Sequence, residues 1–90
     1  MYFVYILVCL DTGRCYVGQT DNLIRRYHWH LAGLTRTTRQ KLRKPVVIYW
    51  ELLPTRSAAL RRERYFKAGS GHRLKHQIIA QRMPLFAAHD

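Results

Sequence analysis

Ninety residues permit one domain with one modest core, because a chain this short buries only a little over about 60% of its unfolded surface, and a separate targeting domain is not expected. Sixteen lysines and arginines against five aspartates and glutamates give a formal net charge of +11, and a polyanion is the partner that relieves such self-repulsion. Nucleic acid is therefore the leading partner class, but charge alone fits a ribosome-associated or nonspecific RNA-binding domain as well as an enzyme, so individual residues must decide.

Residues 2–10 form the longest apolar run, rich in β-branched and aromatic side chains. The run is too short to span a bilayer, lacks a basic segment before it and a small-residue cleavage site after it, and reads as a buried strand. Asp11-Thr12-Gly13 is a turn cluster, after which residues 14–18 resume the strand pattern and complete a β-hairpin. Thr20 or Asp21 is expected to cap a first helix in which Leu23, Tyr27 and Leu31 recur at four-residue spacing and Gly33 closes the end. The polar, basic stretch 35–44 reads as an exposed loop. Pro45 opens a third strand over 46–53 and Pro54 ends it; Thr55 or Ser57 then caps a second helix running to about residue 68. Gly69-Ser70-Gly71 breaks that helix, and Leu74, Ile78 and Ile79 give a helical pattern over about 72–82. The order ββαβαα, without repeat or linker, predicts an α+β domain over 1–82, a three-stranded antiparallel sheet flanked by helices, with 83–90 as a C-terminal tail.

Acidic residues are few enough to audit singly. Asp11 lies in the turn, Asp21 at a helix cap and Asp90 at the terminus, leaving Glu51 and Glu63. On a helical wheel Glu63 falls inside the apolar stripe of Ala59, Leu60 and Phe66. A carboxylate there must meet a cation, donate as a neutral acid or bind a metal, because burying it uncompensated costs several kcal/mol or more. A salt bridge to one of the many arginines is as good a reading as a metal ligand. Arg26 and His30 lie four apart on one face of the first helix, bordering its apolar stripe. An Arg fork suits phosphate oxygens and a neighbouring His can relay a proton, although such a pair is more often ordinary surface.

Hairpin register offers a sharper test. With a loop over 10–13, Leu7 faces Tyr16 and Tyr5 faces Gly18, which puts both tyrosines on one side and lets Gly18 leave room for a ligand. Shifted by one residue, Cys9 would face Cys15 and the tyrosines would part.

Phe3-Val4-Tyr5, then Tyr16-Val17-Gly18, then Arg26 and His30, then Glu63 in a later helix together resemble the GIY-YIG nuclease superfamily, most closely its small stand-alone bacterial branch. The resemblance runs from about residue 3 to 79. It implies a three-stranded sheet with flanking helices, one divalent metal ion, Mg²⁺ or Mn²⁺, and phosphodiester hydrolysis. By the same resemblance Tyr5 helps activate the attacking water and Tyr16 lines the same pocket. Arg26 holds the scissile phosphate, His30 supports it or the nucleophile, and Glu63 binds the metal. One usable carboxylate agrees with a single ion held mostly by water and phosphate. Two departures stand out: Phe3-Val4 replaces the name-giving Gly-Ile, and the only asparagine is Asn22, whereas several larger members use a downstream Asn.

Arg36, Arg39, Lys41, Arg43 and Lys44 fill the basic loop and Trp29 lies on the outer face of the first helix, so the cations can follow a nucleic-acid backbone while the indole stacks on a base. A solvated loop and a half-packed Trp are the plainer reading. Lys67, one turn beyond Glu63, is a candidate phosphate contact. His72 and His76 share a helix face, but no Cys or carboxylate accompanies them and a zinc site is not expected. The functional expectation is a metal-dependent endonuclease acting on DNA, single-stranded or structured, in repair or recombination and with a repair or recombination partner. A non-catalytic basic module that binds nucleic acid, or a subunit needing a partner, is the second. Two cysteines without an export signal point to the cytoplasm, and no membrane partner is expected.

Overall fold

The computed structural model describes residues 1–33 and 44–87. Strands β1 (Tyr2–Val8), β2 (Cys15–Thr20) and β3 (Val46–Leu53) form one antiparallel sheet in the order β2-β1-β3. Helix α1 (Leu23–Leu31) follows β2, and α2 (Arg56–Phe66) and α3 (Gly69–Ala87) follow β3. This is the expected α+β architecture. Among the described residues no helix is long and apolar enough to cross a membrane.

The central position of β1 explains its unbroken apolar run, since a strand flanked on both edges and covered on both faces has no polar side to show. Val4, Ile6 and Val8 face one way and join Ala59, Phe66 and Ile79 from α2 and α3. Tyr5, Leu7 and Cys9 face the other way, beneath Leu23 and Tyr27 of α1. The first face is the main core. The second is thinner, because α1 is short and Leu31, expected in its stripe, is exposed. What ties α1 down is the Tyr27 hydroxyl, which donates to the Pro45 carbonyl at 2.9 Å.

The hairpin takes the first of the two registers, with Tyr5 opposite Gly18 and Leu7 opposite Tyr16, and Cys9 and Gly13 close the 10–13 loop through backbone bonds. Cys9 and Cys15 consequently fall on opposite faces, and no disulfide joins them. On the other side of β1 a bulge interrupts the ladder between Ile6 and Leu7, where Tyr49 and Val47 become successive partners. The extra residue, Ile48, keeps Tyr49 toward the main core and Val47 toward the tyrosine face.

Two local expectations are corrected and one open choice is decided. Asn22, not Thr20 or Asp21, caps α1: its side chain accepts from the Arg25 amide at 3.0 Å, while Thr20 Oγ1 accepts from the Asn22 amide. Thr55, not Ser57, caps α2. The Gly-Ser-Gly triplet breaks α2 as expected but is itself the first turn of α3, which runs past residue 82 through Pro84 to Ala87. Met83 and Phe86 reach back to the main core, so packing continues the helix where propensity gave no signal. Gly71 stands where α3 meets the end of α2, and any Cβ there would run into the Tyr65 carbonyl.

Candidate active site

The tyrosine face of the hairpin brings together residues far apart in sequence. Tyr5 is fully buried on β1, and its ring meets that of Tyr16 from β2 edge-on with centroids 6.1 Å apart. His30, buried in the last turn of α1, completes a triangle of rings and its Nε2 lies 3.0 Å from the Tyr5 hydroxyl. Gly18 was expected to leave room for a ligand; the phenols take that space instead. A Cβ on Gly18 would stand 2.6 Å from the Tyr5 oxygen and 3.2 Å from that of Tyr16, so both hydroxyls converge over the glycine. Period-two alternation puts the two tyrosines on one side, and the missing side chain at residue 18 lets their polar ends meet.

Burial raises the pKa of both phenols. For Tyr5 the neighbouring Tyr16 and the charge of Glu63 add to the effect, Arg26 opposes it, and the hydroxyl is held protonated well above the ordinary phenol range. Tyr16 is pushed up by burial and by Glu63, with Arg26 and its hydrogen bonding with Tyr5 working the other way. Burial, and then Arg26, lowers His30, so its imidazole is neutral at pH 7. A neutral ring with its proton on Nδ1 accepts the Tyr5 hydroxyl hydrogen at Nε2.

Arg26 and Glu63 approach this cluster from different elements, α1 and α2, and each is close enough for its charge to act on both phenols. The Glu63 side chain is 19% exposed, not sealed in the core as the wheel suggested, and Lys67 sits 3.7 Å from its carboxylate one turn on. Among the described residues the cation beside Glu63 is therefore Lys67 and not one of the arginines. Glu51 is held elsewhere, accepting from Arg62 and, at 2.6 Å, from the Tyr49 hydroxyl on the opposite face of the sheet. Asn22 is occupied as the α1 cap.

Trp29 is 40% exposed, and the guanidinium carbons of Arg25 and Arg26 lie 5.5 and 5.2 Å from its ring. Lys44 is exposed just before β3. Arg36, Arg39, Lys41 and Arg43 lie outside the described residues. His72 and His76 are in ring contact, and among the described residues no group of three or more His, Cys, Asp or Glu side chains could hold a metal. Arg56, which the sequence reading did not single out, shares a cleft with Arg26. Its seven-residue spacing from Glu63, two turns on one helix face, is the signal that could have found it.

The chain is 38% identical over 91 residues to a UPF0213 protein of Lactiplantibacillus plantarum, covering 99% of this chain and 81% of that one. A UPF0213 protein of Listeria monocytogenes serotype 4b is 43% identical over 67 residues, 73% of each chain. The solution NMR structure of a UPF0213 protein from Bacillus halodurans superposes with a TM-score of 0.52 at 29% identity, covering 90% of this chain and 85% of that one. The family model for the GIY-YIG catalytic domain matches residues 1–75, a span that contains both tyrosine strands, Arg26, His30 and Glu63. A chain so matched over most of its length, with the hairpin that gives the family its name, belongs to the GIY-YIG nuclease family.

Proposed function

We propose that this chain is an endonuclease that hydrolyses phosphodiester bonds in DNA, single-stranded or locally unpaired, using one divalent ion, and that it serves repair or recombination. The observation that carries the reading is the convergence of the Tyr5 and Tyr16 hydroxyls over Gly18, with His30 bonded to one of them and opposite charges, Arg26 and Glu63, acting on both. A module that only binds nucleic acid needs the positive charge but has no use for a buried phenol–imidazole pair.

A phenol held protonated is a poor base by itself but a good relay. As water attacks phosphorus, its proton passes to the Tyr5 oxygen while the Tyr5 proton passes to His30 Nε2. A new P–O bond forms, the bond to the leaving oxygen breaks, and that oxygen takes a proton from solvent. Neutral imidazole is thus the proton sink; burial and Arg26 keep the ring unprotonated in the free protein and also weaken it as a base. Substrate phosphate offsets the Arg26 charge and makes the imidazolium easier to form. Arg26 orients the phosphate through its planar fork and stabilises the charge that develops there. Tyr16 lines the pocket and orients Tyr5 through their shared hydrogen bond.

The donor set fits a hard divalent ion of the Mg²⁺ or Mn²⁺ kind. Glu63 offers a partly exposed carboxylate beside the phenols and its partner Lys67 is itself exposed, so the carboxylate can be drawn away. With a single protein carboxylate, water and substrate phosphate supply the remaining ligands. When bound, the ion supplies positive charge against the developing negative charge on phosphorus oxygens.

The test is cleavage of labelled single-stranded, duplex, flap and RNA substrates by the purified chain, with Mg²⁺, Mn²⁺ or chelator. Metal-dependent cleavage, strongest on single-stranded or flap DNA, is expected. Binding without cleavage of any substrate would leave only the basic-module reading.

A further inference from the structure

Arg56 opens α2 and, with Arg26 from α1, lines a cleft of about 190 Å³ at the end of β2 beside Gln19 and Thr20. Among the described residues neither guanidinium has a carboxylate partner, whereas the cleft's one acid, Asp21, is 3.7 Å from Arg25. Two cations without a carboxylate partner on one polar cleft make it a place for an anion. The cleft adjoins the tyrosine cluster, because Arg26 lines the one and acts electrostatically on the other. On α2, Glu63 lies seven residues beyond Arg56, about 10.5 Å along the same face. A strand whose reacting phosphate lies among Tyr5, Arg26 and Glu63 therefore has Arg56 beside its next phosphate.

We propose that Arg56, on the far side of the cleft that it shares with Arg26, forms a second phosphate subsite, holding the phosphodiester adjacent to the scissile one in the bound nucleic-acid strand. The inference rests on the nuclease reading for its register along the strand, but the phosphate contact itself is measured without cleavage. Arg56 is a substrate-binding residue outside the proton relay, so its loss weakens capture and leaves the chemical step intact.

Two measurements on the full chain separate the claims. The first is fluorescence anisotropy of a labelled single-stranded oligodeoxynucleotide in chelator, titrated at several salt concentrations. Arg56→Gln is expected to weaken binding about tenfold and to reduce the salt slope by about 0.7, the share of one phosphate contact, while Arg56→Lys restores the slope. An unchanged slope in Arg56→Gln overturns the subsite. The second is the cleavage pattern on an end-labelled strand carrying one uncharged methylphosphonate. The wild-type chain should avoid the bond on one side of the neutral link, and Arg56→Gln should lose that avoidance with kcat retained. Identical patterns for the two proteins overturn the register. A wild-type chain that cuts nothing defeats the nuclease reading and with it the register, while the anisotropy arm still decides the phosphate contact.

Discussion

Burial, the Tyr16 hydroxyl and the charge of Glu63 all hold the Tyr5 phenol protonated, and Arg26 offsets them only in part. If the relay through His30 is how water is activated, Tyr5→Phe should lower kcat by about 10²–10⁴-fold while binding changes little, since one hydroxyl is lost and no charge. Single-turnover cleavage beside anisotropy checks this, and parallel losses in both would contradict it. His30 gives a pH signature. Its folded pKa is depressed below 6.5, so the stability tied to the neutral ring is fully present above the unfolded value and is lost as pH falls through the folded one. Melting curves below pH 6.5 should show an acid-side loss that His30→Gln lacks, and kcat/KM should fall with a midpoint below 6.5. Side-chain alternation and a short loop narrowed the hairpin to two registers, only one of which puts Tyr5 and Tyr16 on one side, and the likeness to a nuclease hairpin, not the alternation itself, favoured the one found. That Gly18 makes room for their hydroxyls was not, since the space above a glycine can be filled by a ligand or by a neighbour's ring, and only packing decides. The wheel likewise found the stripe around Glu63 but not how deep in the core it lies.

Between elements, the two central carboxylates divide the labour. Glu51 on β3 binds Arg62 of α2 and the Tyr49 hydroxyl, and Arg62 also stacks over Phe66 at 4.6 Å, so the group fastens helix to sheet. Glu51→Ala should cost about 1–3 kcal/mol of stability and leave turnover of the folded protein near wild type, whereas Glu63→Ala should do the reverse. Chemical denaturation and single-turnover assays on both variants check the pair of outcomes; a folded but inactive Glu51→Ala would undermine the division. Gly18→Ala belongs here too, because its Cβ would meet the Tyr5 oxygen at 2.6 Å and the pairing of β1 with β2 would have to give. A loss of about 1–3 kcal/mol is expected, with cleavage reduced beyond the folded fraction. The element order ββαβαα was readable from pattern, whereas the extent of α3 was not. Gly-Ser-Gly and Pro84 both argue locally against a helix, and it forms because Leu74, Ile78, Ile79, Met83 and Phe86 all pack into the main core.

Across the whole molecule, a net charge of +11 on 90 residues makes affinity a question of salt. Binding should fall about 10³-fold or more between roughly 50 and 200 mM salt if about six phosphates are neutralised, and a nearly flat response would argue against nucleic acid as the partner. Charge was plain in the composition; its arrangement was not, because Arg26 and Arg56 are 30 positions apart and meet only when α1 and α2 pack around the end of β2. The central claim is that one carboxylate and one guanidinium, brought to a pair of tyrosines from different helices, make this small basic fold a hydrolase. Metal-dependent cleavage of a single-stranded DNA substrate by the wild-type chain, Glu63→Ala and Arg26→Ala, each first shown to be folded and to bind DNA, tests it most directly. Turnover in the wild type with losses of about 10²-fold or more in both variants is the predicted result; wild-type turnover in either variant would contradict it.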